Sequence, residues 1–164
     1  MSREIHRWFS PNLNKDMDLV VYGNYGFALL MFPTAGADFL EYERFKLIDS
    51  IGWFLGEGKL KAFSINSINN ESWLNNNMHP ADKAIRHQQY NKYVVEEVVP
   101  FIHNHCKGLV PIIITGASLG ALHAINNFPL SHFFKHIFII PAGQIVNGGV
   151  KVNILIKVTF AVIF

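Results

Sequence analysis

Hydrophobic residues along the chain fall into short runs, and their spacing changes from one run to the next. Residues 18–23 (DLVVYG) and 27–32 (FALLMF) are dense in β-prone residues and predict two strands. Gly23-Asn24-Tyr25-Gly26 between them supplies turn chemistry, so the pair is expected to form a hairpin. Pro33-Thr34-Ala35-Gly36 then opens a loop. From Glu41 to Leu55, Phe45, Ile48, Ile51 and Leu55 recur at helical spacing, and Gly56 and Gly58 stop the run. Residues 60–65 (LKAFSI) predict a strand, and the Asn-rich stretch 66–77 predicts a long polar loop.

Between residues 82 and 105, Ile85, Tyr90, Tyr93, Val94, Val98 and Ile102 mark an amphipathic helix that Pro100 bends or divides. Residues 109–115 (LVPIIIT) form a continuous apolar, β-branched run, as in a strand buried on both faces. A helix is expected over 119–127 and a strand over 136–140. Strands and helices alternate after the opening hairpin, which predicts an α/β fold with a mainly parallel sheet and no internal repeat. Residues 1–144 read as part of a single domain. Residues 145–164 are different: β-prone, low in charge and without turn signals after Gly149, an aggregation hazard if exposed.

Composition narrows the function. The 164 residues are long enough for one real core, and a net charge of +2 without a Lys/Arg cluster excludes a nucleic-acid reading. The single cysteine, Cys106, rules out an internal disulfide and reads as a spacer thiol in a reducing compartment. The opening residues lack the apolar core of a signal peptide, so a cytoplasmic location is expected and the Asn70-Glu71-Ser72 glycosylation pattern is discounted. The apolar C-terminal run is interrupted by Lys151, Asn153 and Lys157, too short and polar to span a bilayer.

Candidate chemistry centres on Gly116-Ala117-Ser118-Leu119-Gly120, a G-x-S-x-G pattern between the buried-type strand and the following helix. The pattern alone is weak evidence; its strand-to-helix setting is what a nucleophile elbow requires. The sharp turn strains the serine backbone and crowds the chain, so the positions two before and two after must be small. Gly116 and Gly120 meet that requirement. The Leu119 amide would face a developing oxyanion. A second donor is expected from the loop after an earlier strand, with Ala35 the candidate and Thr34 the alternative. A tight turn with a capping serine is the plainer reading of the same residues.

The segments SREIHRWFSPNLNKDMDLVVYG, FPTAGADFLEYERF, ESW, MHPADKAIRHQQYNKYVVEEVVPFI and TGASLGALHAIN resemble, in order, an esterase family of the α/β-hydrolases related to esterase D and S-formylglutathione hydrolases. The resemblance covers residues 1–140. It implies a serine carboxylesterase with Ser118 as nucleophile, Ala35 as oxyanion donor, a small acyl ester or thioester as substrate, and neither metal nor organic cofactor. It also implies an incomplete α/β-hydrolase fold: a mainly parallel sheet, an N-terminal antiparallel hairpin and helices on both faces. Such a C-terminally truncated sheet should expose apolar surface, lower solubility and offer an edge for self-association.

The partners of Ser118 are the difficulty. All twelve acidic residues lie at or before Glu97, so the order Ser, Asp/Glu, His cannot be completed after Ser118. His123 should point away from the top of the turn, and His132 and His136, which precede or open the next strand, should lie on the opposite side from the nucleophile. His79 and Asp82 could substitute from the long loop near the site; the plainer reading is that His79 and Arg86 hold that loop by hydrogen bonds. Trp73 and His79, with Thr34, are candidate pocket residues. Two functions follow: an ester hydrolase acting through an acyl-enzyme, inactive or weakly active as this chain, or a non-catalytic binding protein on the same scaffold.

Overall fold

A computed structural model describes residues 2–140 and 156–158. Strands β1 (Arg3–Ser10), β2 (Lys15–Tyr22), β3 (Phe27–Phe32), β4 (Leu60–Ile65), β5 (Ile112–Ala117), β6 (Phe134–Ile140) and β7 (Ile156–Val158) form one sheet. Their order is β1-β2-β4-β3-β5-β6-β7. The central pairings β4–β3, β3–β5 and β5–β6 are parallel, whereas β1–β2, β2–β4 and β6–β7 are antiparallel. Apart from β7, the stretch 145–164 lies outside the described residues.

The N-terminal hairpin exists, but its strands are β1 and β2 rather than β2 and β3. Ser10 pairs with Lys15 across the turn, and Arg3 pairs with Tyr22 at the open end. The Gly23–Gly26 segment instead carries the chain past the start of β4. Gly26 has φ +112°, and a Cβ there would stand 2.3 Å from the Lys59 carbonyl carbon. Phe27 donates its amide to the Lys59 carbonyl at 3.0 Å, so β3 starts alongside β4 and leaves β2 to pair with the far side of β4.

Alternation along the strands assigns the two faces. Leu19, Val21, Leu30, Phe32, Phe63, Ile65, Ile112 and Ile114 join one buried cluster; Val20, Tyr22, Met31 and Ala62 join the other. The first face is covered by α4 (Pro80–Tyr93), α5 (Val99–His105) and α6 (Leu119–Asn127). The second is covered by α1 (Glu41–Arg44), α2 (Leu47–Ser50) and α3 (Gly52–Gly56). Beside these three short helices, Leu29, Met31, Ile113, Thr115 and Phe138 line an open apolar cavity of about 1430 Å³.

Two helices depart from expectation for physical reasons. The single helix expected over 41–55 is three pieces, broken where Lys46 takes φ +62°. On a straight helix Tyr42 would point roughly 120–140° away from Ile48 and Leu55. The break lets all three reach the same buried cluster. Near Pro100 the backbone stays in the right-handed helical region, and the helix is divided ahead of the proline rather than at it. A π-helical turn, Val94–Val98, joins α4 to α5 and widens the backbone just before the proline, whose ring would otherwise crowd the preceding turn. That turn also presents Glu97, which accepts hydrogen bonds from Trp8 Nε1 (2.8 Å), Ser10 Oγ (2.7 Å) and Asn12 Nδ2 (2.9 Å), anchoring the hairpin. Among the described residues, no helix is long and apolar enough to cross a membrane.

Candidate active site

β5 is flanked by β3 and β6 in the middle of the sheet, and α6 starts directly after it. Ser118 sits at that junction, solvent-exposed, with φ +54° and ψ −123°. No L-residue adopts this backbone region cheaply, and strain of this kind costs of order 1–3 kcal/mol. The hydroxyl makes no capping bond to α6. Replacing Ser118 with glycine is therefore expected to raise unfolding stability by about 1 kcal/mol, relieving the strain against glycine's own entropic cost. Urea denaturation measures it; a loss of stability would mean that the turn is not strained.

The turn is tight because two glycines touch backbone. A Cβ on Gly116 would lie 2.3 Å from both the carbonyl carbon and the oxygen of Gly120. One on Gly120 would lie 2.3 Å from the Phe32 oxygen and 2.6 Å from the Pro33 oxygen. The second contact presses the start of α6 against the end of β3, bringing the 33–36 loop beside Ser118. Tyr42 supports the same place from the other face, donating its hydroxyl to the Phe32 carbonyl at 2.6 Å. Burial raises the pKa of that phenol and keeps it a neutral donor.

The loop's amides differ in availability. Thr34 gives its amide to Glu41 at 2.7 Å, and its hydroxyl also bonds that carboxylate. Glu41 is 2% exposed, so Thr34 is tethered from below. The next amide, Ala35, has no hydrogen-bond partner among the described residues, and Ala35 is exposed. As the first residue of α6, Leu119 has no intrahelical acceptor for its amide. Neither Glu41 nor its tether was legible in sequence, because an acid opening a helical run reads as a solvated end.

None of the eight histidines hydrogen-bonds to Ser118 among the described residues. His123 is fully buried, with Nε2 2.7 Å from Asn69 Oδ1 and Nδ1 3.3 Å from His87 Nε2. Asn69 donates from Nδ2 to the Thr34 carbonyl at 3.4 Å. Asn69 Oδ1 can only accept, which makes His123 Nε2 the protonated nitrogen and Nδ1 the acceptor from His87. The result is a polar chain from Thr34 through Asn69 and His123 to His87, against which Trp73 packs at 5.2 Å. Sequence had assigned Asn69 only to a polar loop and had not singled out His87.

Burial, with the neighbouring His87, holds His123 down to a pKa of about 3; burial also lowers His87. A histidine with a depressed folded pKa stabilises the fold above its ordinary value near 6.5, and that stability is lost as pH falls toward the folded value. Each pH unit in this window is worth about 1.4 kcal/mol for His123. Between pH 7 and 5 a loss of about 2 kcal/mol is expected, read as a lower urea midpoint. An unchanged midpoint would mean that the buried pair accepts protons without penalty.

The other candidates are scattered. His79 is exposed and caps α4, its Nδ1 accepting from the Ala81 amide at 3.3 Å. Arg86 holds the loop as expected, donating to Glu71 at 2.7 Å and to the Leu13 carbonyl at 3.0 Å. Asp82 is exposed in the first turn of α4. His132 lies against Phe133 in a tilted pair with ring centroids 4.0 Å apart, and His136 pairs with Ile113 near the start of β5, the end remote from Ser118. Cys106 is half-buried, and burial raises its thiol pKa, making it a poor nucleophile.

No protein-family model and no curated protein matches the chain. Solved structures do match. S-formylglutathione hydrolase (FrmB) from Staphylococcus aureus aligns over 82% of this chain and 54% of its own, at 18% identity and TM-score 0.61. FphF, a fluorophosphonate-binding serine hydrolase of the same organism, aligns over 83% and 55%, at 17% identity and TM-score 0.62. A CE1 ferulic acid esterase from Anaeromyces mucronatus aligns over 85% and 58%, at 12% identity and TM-score 0.62. The chain thus spans a little over half the length of each of these proteins. Its sheet, with the N-terminal antiparallel pair and helices on both faces, is the α/β-hydrolase fold that these serine hydrolases and esterases share.

Proposed function

We propose that the chain carries the nucleophile and oxyanion portion of a serine ester hydrolase acting on small acyl esters or thioesters. Ser118 Oγ adds to the acyl carbon as its proton passes to hydroxide or water. The C–O or C–S bond breaks, the leaving alcohol or thiol takes a proton from solvent, and water later cleaves the acyl-serine ester to release the acid. The oxyanion is received by the amides of Leu119 and Ala35. Trp73 and His79 belong to the loop beside the site and are candidates for its acyl or leaving-group side. The single cysteine fits a reducing, cytoplasmic setting.

The observation that carries this reading is the strained, exposed backbone of Ser118 held between two glycine contacts. A binding scaffold gains nothing from such strain. The test is covalent labelling with a fluorophosphonate probe, which transfers phosphorus to an active serine and releases fluoride. Slow labelling is expected, mapped to Ser118 by mass spectrometry and absent in Ser118→Ala. No labelling of Ser118 at any pH would overturn the proposal.

A second reading rests on the same site's chemistry. With no acid after Glu97 and His123 sealed in the core, the chain would serve as a non-catalytic binding protein, open to self-association through its sheet edge. Unlabelled Ser118 in a well-folded protein would favour it.

A further inference from the structure

A second cluster lies away from Ser118, where β1 meets the end of α5. Glu4 and His6 are two apart on β1 and project to the same face; His105 is the last residue of α5. Glu4 Oε2 stands 3.2 Å from His105 Nε2 and 3.4 Å from His6 Nε2, and the three ligand atoms all lie within 4.8 Å of one another. The imidazole rings meet edge to face, with centroids 5.4 Å apart.

An ordinary carboxylate–histidine pair explains Glu4 with His105, but not His6. The His6 Nε2 atom is buried and makes no hydrogen bond among the described residues, although it faces the same carboxylate oxygen. Two imidazole nitrogens converging on one carboxylate oxygen match the donor set of a divalent metal. Zinc ligands at about 2.0–2.1 Å in a tetrahedron are separated from one another by about 3.3–3.4 Å. The two distances from Glu4 Oε2 fall at that edge length. Phe101 and Phe63 pack against the His105 ring, and Lys61 holds its carbonyl at 3.1 Å, so the ligand from α5 is already oriented.

We propose that Nε2 of His6, Nε2 of His105 and Oε2 of Glu4 form a three-ligand site for a zinc-class divalent metal. Two imidazoles and one carboxylate suit Zn²⁺, and Co²⁺ as its spectroscopic substitute, better than Mg²⁺ or Ca²⁺. The fourth position is left to water or an anion. Bound metal ties the N-terminal hairpin to α5 across residues 101 apart in sequence. His105 Nδ1 has no acceptor among the described residues, so the site lacks one outer-shell support there, and binding about 10–100-fold weaker than at a fully supported site is expected.

The test is a melting experiment with ZnCl₂ in a non-chelating buffer, paired with Co²⁺ absorption. Zinc at about a hundred times its Kd is expected to raise Tm by about 5–10 °C. Co²⁺ should give the strong visible bands of a four-coordinate nitrogen–oxygen site. Glu4→Gln and His6→Gln, both at partly exposed side chains, should weaken binding at least tenfold. Their metal-free melting curves show that the fold persists. No zinc-dependent shift in the unsubstituted protein would overturn the site. So would an undiminished shift in both variants, or a cobalt–thiolate band that Cys106→Ser removes.

Discussion

Gly120→Ala is expected to cost about 4 kcal/mol or more, a large part of the 5–15 kcal/mol that holds a domain of this size folded. The obstacle is what sets the magnitude. Overpacking a core against side chains costs about 1–3 kcal/mol, because side chains can turn aside. At Gly120 the new methyl would meet the carbonyls of Phe32 and Pro33 at 2.3 and 2.6 Å, both backbone atoms. Those carbonyls end a strand paired on both sides, by β4 and β5. Either α6 lifts off the sheet or β3 shifts, and both expose buried surface. Gly116→Ala should behave alike, for its methyl would meet Gly120 itself at 2.3 Å. Gly52→Ala is the control: none of the described residues would lie within 4 Å of its methyl, beyond the helix's own backbone, and stability should change by less than about 1 kcal/mol. Urea denaturation of the three variants decides it. A Gly120→Ala protein as stable as its parent would show that α6 does not press on β3.

Ester turnover by this chain is expected to fall on the order of a million-fold below that of a serine hydrolase with a complete triad. Losing the histidine alone costs about that much in turnover, because the remaining groups act only as a unit. Each histidine near the elbow is accounted for. His123 has one nitrogen on Asn69 and the other on His87, and burial keeps it from accepting a proton until about pH 3. His136 pairs with Ile113, five residues before Ser118, roughly 16 Å along the strand. On the proposed assignment, oxyanion stabilisation by the amides of Leu119 and Ala35 would remain, enough for a residual rate over water of about 10³–10⁴. Initial rates with an activated ester, compared between the chain and Ser118→Ala, measure that residue. Rates approaching those of a complete triad would show that a base is present.

Local features were readable in the sequence; long-range pairings were not. The tight strand-to-helix turn at Ser118 was legible because its requirement is local: small residues two before and two after a serine, between a buried strand and a helix. For the same reason β3, β4, β5, β6 and α6 lie close to where hydrophobic spacing places them. The hairpin was misread because Gly23–Gly26 specifies a change of direction, not a pairing partner. Which strand lies beside β2 depends on β4, nearly forty residues further on. The break at Lys46 escaped notice because helical spacing does not reveal that Tyr42 must face the same cluster as Ile48 and Leu55. The polar chain from Thr34 to His87 spans separations of 35, 54 and 36 residues, and no short pattern announces such contacts. Trp73, singled out for a pocket, packs on His87 with its Nε1 buried and unpaired among the described residues, a contact with a residue 14 positions on that no local pattern announces.

Ser118, on the proposed reading, is a nucleophile prepared by backbone geometry and left without a base beside it among the described residues. The most direct test of that claim is the rate of Ser118 phosphonylation by a fluorophosphonate as a function of pH. With hydroxide or solvent taking the proton, the rate should rise steadily with pH and show no levelling through the histidine range. Ser118→Ala should abolish the reaction throughout. A plateau at neutral pH, lost on replacing one histidine of this chain, would contradict the claim and identify the missing base.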